Sequence, residues 1–234
     1  MKALIFGKDT KDLEELVKKS GFEIVNSDPE LIISFGGDGT LLAAERQFPG
    51  IPKLPIRNSL ICKKCSKHLD EEVLKKVLEG KLKPTEYKKL ETEVLFKKFY
   101  ALNDFVVRNS LPTHAIRFKL NNGPLLIGDG IVISTPFGSS GYFKSITGKT
   151  FSTKGGFGAA FNNLTEKNEP LFLKDSDSLT FKLIRGKATL SFDNSEQIFT
   201  IDEGSELIFK LSDQVAKIYS DTSLRCLDCE VIRD

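Results

Sequence analysis

The chain has 234 residues, a formal net charge of +2, 40% hydrophobic residues and 28% charged ones. The apolar fraction suffices for a core, and the length admits one large or two small domains. The near balance of charge offers no electrostatic case for nucleic acid as a partner, and no apolar run reaches the roughly 20 residues of a membrane helix, so neither partner is expected.

The opening Met1-Lys2-Ala3-Leu4-Ile5-Phe6-Gly7 ends too soon for a signal peptide and reads as a buried strand over 3–6. A cytoplasmic protein is therefore expected. Leu13, Leu16 and Val17 fall at helical spacing within 12–19, and strands follow at 22–25 and 31–35. A helical stretch runs over 41–46. A further amphipathic helix covers 69–78, and Gly80 stops it. Alternating strand and helix signals predict a parallel sheet covered by helices, with ligands at the carboxyl ends of the strands.

From about residue 92 the rhythm changes to short strands: 92–96, 105–108, 115–120, 130–134, 179–183, 188–192, 198–201, 206–209 and 216–219. Turn signals such as Asn121-Asn122-Gly123 and Arg185-Gly186-Lys187 separate them. Residues 148–169, rich in Gly and Asn, read as a loop with one short helix at most. The expected architecture is an α/β N-terminal domain over 1–90 with a parallel sheet, then a C-terminal all-β domain over 91–220. The dense lysines between Lys63 and Lys98 read as a solvated face, since glutamates are interleaved.

Gly36-Gly37-Asp38-Gly39-Thr40 joins the 31–35 strand to the next helix. Glycines let backbone N–H groups approach a phosphate, and a helix start favours an anion. A carboxylate at the tip would repel phosphate unless a divalent metal intervenes or it accepts a proton from a nucleophile. The loop therefore points to phosphoryl transfer, with Asp38 catalytic and Gly36, Gly37, Gly39 and Thr40 holding phosphates.

Two further segments carry polar groups suited to a nucleotide. In one, Asp129-Gly130 leads through a strand to Thr135-Pro136-Phe137-Gly138-Ser139-Ser140-Gly141-Tyr142, whose hydroxyls and aromatic face suit sugar, phosphate and base. In the other, Asn103-Asp104 opens a strand and offers a donor and acceptors to a ribose or base edge. Either could equally be an ordinary turn.

The four cysteines form two Cys-x-x-Cys pairs, Cys62/Cys65 and Cys226/Cys229, with His68 nearby. Together the pairs would make a tetrahedral structural zinc site; two local disulfides or buried free thiols are the other readings.

The three segments in this order, Gly-Gly-Asp-Gly-Thr, Asn-Asp and Asp-Gly…Ser-Thr-Pro-x-Gly-Ser-Ser-Gly-Tyr, resemble those of NAD kinases, in the superfamily that also holds diacylglycerol and sphingosine kinases. The resemblance implies that the tail 221–234 returns to the first domain and that the chain forms a homodimer or homotetramer. It implies ATP as donor, Mg²⁺ as cofactor and NAD as acceptor, with Asp38 as general base. Asn103, Asp104, Asp129, Thr135, Ser140, Gly141, Tyr142 and Ser145 would line the dinucleotide pocket. Where the family carries Gly-x-Asn-x-Gly this chain has Arg57-Asn58-Ser59, so only Asn58 matches. Asp104 stands where the family has Glu, and Asp193-Asn194-Ser195 where it has Asp-Gly-Gln. A same-fold kinase acting on a nucleoside, sugar or lipid hydroxyl is the alternative, as is a non-catalytic nucleotide-binding protein.

Overall fold

The computed structural model describes residues 1–57, 70–152, 156–166 and 168–219. The chain divides into two compact units, Met1–Tyr87 with residues 216–219, and Lys88–Val215.

In the first unit β1 (Lys2–Gly7), α1 (Lys11–Lys19), β2 (Glu23–Ile24), β3 (Leu31–Phe35), α2 (Asp38–Gln47), β4 (Lys53–Ile56) and α3 (Asp70–Leu78) follow one another. The strands order as β2-β1-β3-β4 and pair in parallel. Ala3, Leu31, Ile33 and Leu54 are buried from the sheet, and Leu13, Val17, Val73 and Leu74 cover them from α1 and α3. β3 is apolar but for Ser34, and Leu31 to Ser34 are buried in succession because both its faces are covered. Strand β4 had no clear sequence signal, since Lys53 and Pro55 interrupt its four residues.

Lys53 is fully buried, its ammonium paired with the buried Glu45 of α2 and donating to the Phe48 carbonyl. This pair ties the helix behind the glycine loop to the sheet. Lys53→Met strips the cation from a buried carboxylate and is expected to lower urea-unfolding stability by about 3 kcal/mol. The double variant Glu45→Gln/Lys53→Met should recover most of that loss, because the uncompensated charge is then gone.

The second unit contains β5 (Pro84–Val94), β6 (Lys97–Ala101), β7 (Asp104–Asn109), β8 (Ile116–Leu120), β9 (Leu126–Gly128), β10 (Gly130–Ser134), α4 (Tyr142–Thr147), β11 (Phe157–Asn162), β12 (Leu171–Leu173), β13 (Ser178–Arg185), β14 (Ala188–Phe192), β15 (Phe199–Ile201) and most of β16 (Glu206–Tyr219). One antiparallel sheet runs β16-β13-β8-β9, with the β5–β6 hairpin beside β16. The other runs β12-β11-β10-β7-β14-β15. Their inner faces share one core that includes Phe105, Phe118, Phe157, Phe181 and Phe209.

Three expectations differ from this architecture. The strand expected at 92–96 begins at Pro84 and ends at Val94, and Leu95 and Phe96 turn the chain with φ of 51° and 61°. Two left-handed residues fit a tight hairpin turn, but Asn-Gly is its usual signal and Leu-Phe gives none. Residues 148–169 were expected to be loop, yet they contain β11, whose small and apolar residues pair along all of β10. The strands expected at 206–209 and 216–219 are one strand, β16.

Candidate functional site

In the first unit β3 delivers the chain to Gly36, whose φ of 155° lies in a region that glycine favours. A Cβ there would also collide with Thr40 Oγ1. Gly37 is extended and caps α2, its carbonyl accepting from the N–H groups of Thr40 (3.0 Å) and Leu41 (3.2 Å). A Cβ on Gly37 would meet nothing within 4 Å, so the loop faces open space. The Gly36 N–H is spent on the Ile56 carbonyl at 2.9 Å. The N–H groups of Asp38 and Gly39, at the start of α2, have no intrahelical acceptor and carry the positive end of the helix dipole. Asp38 is exposed on this turn, and its carboxylate makes no hydrogen bond or ion pair among the described residues. It is free to accept a proton or meet a cation.

In the second unit three segments meet where β7 begins and β10 and β14 end. β14 turns at Asp193 and Asn194, both left-handed (φ 47° and 52°), and the Ser195 N–H closes the turn on the Phe192 carbonyl at 2.7 Å. The turn delivers the buried Asp193 carboxylate to three successive backbone donors: Leu102 at 2.6 Å, Asn103 at 2.7 Å and Asp104 at 3.2 Å. The Thr135 hydroxyl donates to the Leu102 carbonyl and accepts from the Gly138 N–H (3.0 Å), while the Thr135 N–H donates to the Asn103 carbonyl (2.9 Å). A Cβ on Gly138 would collide with the Asn103 carbonyl, which explains that glycine. A Cβ on Gly141 would lie 4.0 Å from Asn103 Nδ2, so the Asn103 amide is beside the Ser140–Gly141 corner. Asn103, Asp104, Thr135, Gly138 and Gly141 are therefore gathered into one place. Thr135 is fully buried and acts there as a brace, while Ser140 is exposed.

Burial, with the charge of Asp193 beside it, pushes the Asp104 carboxyl up to about 7. Asp193 itself was not among the sequence's candidates. Its signal was the Asp-Asn pair after a strand, a turn composition that says nothing of what the carboxylate holds.

Asp129 lies at the other end of β10 from Ser134, roughly 17 Å away along an extended strand. Asn109 and Asn163 donate to its two oxygens at 3.2 and 3.1 Å. Nearby, Asn162 Nδ2 donates to the Tyr142 hydroxyl at 3.0 Å, and the exposed Ser145 hydroxyl turns back to the Tyr142 carbonyl at 2.7 Å. The structure thus does not bring Asp129 together with Asn103 and Asp104 within the second unit. Asn58, Cys62, Cys65, Cys226 and Cys229, and with them the zinc reading, lie outside the described residues. So does the tail 221–234. Among the described residues no group of three or more His, Cys, Asp and Glu could hold a metal ion, and no helix is long and apolar enough to cross a membrane.

A glycine loop at a helix start, with a carboxylate that has no partner among the described residues, on a parallel α/β unit followed by a two-sheet β unit, has the form that phosphoryl transfer requires. Comparison with models of known protein families finds no match. The chain is 31% identical over 229 residues to an NAD kinase of Aquifex aeolicus, covering 87% of this chain and 80% of the relative. It is 27% identical over 233 residues to NAD kinase 2 of Geobacillus kaustophilus, covering 88% and 85%. Among solved structures, an Archaeoglobus fulgidus NAD kinase in complex with ATP superposes with a TM-score of 0.79 at 19% identity, over 96% of this chain and 95% of that one. Yeast NADH kinase complexed with NADH gives 0.81 at 16% identity, over 95% and 84%. The chain belongs to the NAD kinase family.

Proposed function

We propose that this protein is an ATP-dependent NAD kinase, which phosphorylates the 2′-hydroxyl of the adenosine ribose of NAD to give NADP. The observation that carries the reading is the Gly36–Thr40 turn, with Asp38 exposed on the first turn of α2 and unpartnered among the described residues, in a chain of this family. Asp38 accepts the proton of the attacking hydroxyl as the oxygen–phosphorus bond forms and ADP departs. The open N–H groups of the loop and the Thr40 hydroxyl hold phosphate oxygens, where preorganised donors stabilise developing charge. Asp38 is a hard oxygen donor with no partner among the described residues, which fits Mg²⁺ held jointly with nucleotide phosphates; the ion would neutralise the phosphoryl group. Asn103, through its amide, and Asp104, through a carboxyl that carries a proton near neutral pH, would serve sugar hydroxyls or a base edge. Asp129, Tyr142 and Ser145 would serve the same dinucleotide from the other end of β10, and the chain would work as a homodimer or homotetramer in the cytoplasm.

Incubation of the purified chain with ATP, Mg²⁺ and NAD, followed by an NADP-specific enzymatic readout, is expected to show NADP accumulating with time and enzyme concentration. A parallel panel of NADH, nucleosides, sugars and a diacylglycerol with labelled ATP addresses the alternative acceptor. Label transfer to one of the last three classes, with none to NAD or NADH, would overturn the assignment.

A further inference from the structure

At the end of the second unit away from Asp104 and Thr135, a groove of about 770 Å³ opens over the outer face of β8. Its floor is a row across three strands. Arg117 of β8 stands directly opposite Arg185 of β13 on one side and Ile127 of β9 on the other. Directly opposed residues on antiparallel strands project on the same face, and like charges so placed repel. Lys187 and His114 add donors from the flanking turns, and the exposed Leu111 adds apolar surface. Asp202 and Glu203 lie on the wall, but Glu203 is engaged by the Gly186 N–H at 3.2 Å. Arg117, Arg185 and Lys187 make no ion pair among the described residues. The two arginines form the last pair of the β8–β13 ladder, just beyond a bulge between Leu183 and Arg185, with Gly186 in a left-handed turn (φ 102°) directly after Arg185. Two guanidinium groups kept side by side with no ion pair among the described residues form a fork for an anion that accepts several hydrogen bonds, and three cations face the two wall carboxylates Asp202 and Glu203.

We propose that this groove is a second binding site, separate from the candidate catalytic residues, for a small organic phosphate. Its phosphate bridges Arg117 and Arg185, Lys187 supplies a third cation, and its carbon body lies on Leu111 and Ile127. The volume falls in the range of small-molecule sites, and the mixture of an apolar floor with a few convergent charges is their usual chemistry.

The test is an amide NMR titration of the full chain with phenyl phosphate, and separately with inorganic phosphate, in the presence of saturating NAD. Expected are saturable shifts at Arg117, Gly186 and Ala115, with phenyl phosphate binding at least about fivefold more tightly than phosphate because of its apolar body. Arg117→Gln/Arg185→Gln, checked for an otherwise unchanged spectrum, should weaken phenyl phosphate by about tenfold or more, and Lys187→Gln by less. If the double variant does not fold, the two single variants are read the same way. The proposal is overturned by shifts confined to the Gly36–Thr40 loop, by no saturation up to about 20 mM, or by binding that ignores the arginine substitutions. Displacement by NAD would make the groove part of the dinucleotide site and overturn it too. So would broadening of the groove resonances that depends on protein concentration alone, since a second copy would then cover it.

Discussion

Replacing Asp38 by Asn is expected to lower kcat for NADP formation by about 10²–10⁴-fold, the range that a positioned general base contributes. The variant should fold normally. The side chain is exposed and makes no contact among the described residues, so nothing is unpaired by the change. The only stabilising role left to the charge is its favourable place on the first turn of α2, worth about 0.3–1 kcal/mol. Asn keeps the size and hydrogen-bonding atoms and lacks only the basicity. KM for NAD should therefore shift far less than kcat. Stopped-time NADP assays at saturating ATP, with thermal unfolding of both proteins, measure both quantities. A variant that keeps near-full turnover would remove Asp38 from the chemistry and leave the loop as a phosphate cradle only.

Asp104→Asn should stabilise the protein at alkaline pH by up to about 4 kcal/mol, and change little at pH 4. The folded-state value is about 7, against 3.8 for an unperturbed aspartate, because burial and then Asp193 disfavour the charge. The direction follows from the inequality. A folded pKa above the unfolded one makes the native state bind the proton more tightly. Its contribution is then complete below about pH 4, falls as the pH rises, and is exhausted above 7. The amide mimics the protonated carboxyl without titrating. The stability difference between variant and wild type should thus open between pH 4 and pH 7 and level off above it. Urea unfolding at pH 4, 6 and 8 measures this. A difference that does not change with pH would show that the Asp104 proton is held equally in the folded and unfolded chains. The Asp193 oxygens accept three backbone N–H groups, so Asp193→Asn, which turns one oxygen into a donor, is expected to destabilise. Natural retention of an ionisable residue at position 104, against this cost at pH 8, fits a role in ligand binding and the trade of stability for function.

The Gly36–Thr40 turn was legible in the sequence because everything it requires is local. Leu31–Phe35 is a mostly apolar run that presents apolar residues to both faces, as buried parallel strands do, and glycine's left-handed freedom at Gly36 needs no distant partner. The strands at 31–35, 130–134 and 188–192 were legible for the same reason, since their apolar runs are bounded by turn residues on both sides. β4 and β11 were hidden because their strand character comes from the neighbours they pair with rather than from their own residues. The β5–β6 hairpin was hidden because Leu95 and Phe96 occupy left-handed positions that their side chains do not advertise.

What remained for the tertiary structure were relations across long stretches of chain. Asp193 meets the Asn103 N–H across 90 residues, and Thr135 meets the Leu102 carbonyl across 33. A carboxylate's partners, and so its charge, depend on which segments the sheet lays side by side, and no local pattern records that. The same holds for Arg117 and Arg185, whose opposition is a matter of strand register. Composition and motif were enough to propose the kind of chemistry at Asp38, because backbone conformation and basicity belong to single residues and their immediate neighbours. Only folding decided that Asp104 would hold a proton, that Asp129 would stand a strand's length away from it, and that two arginines would share one face, because burial and electrostatic coupling exist only between groups that packing has brought together.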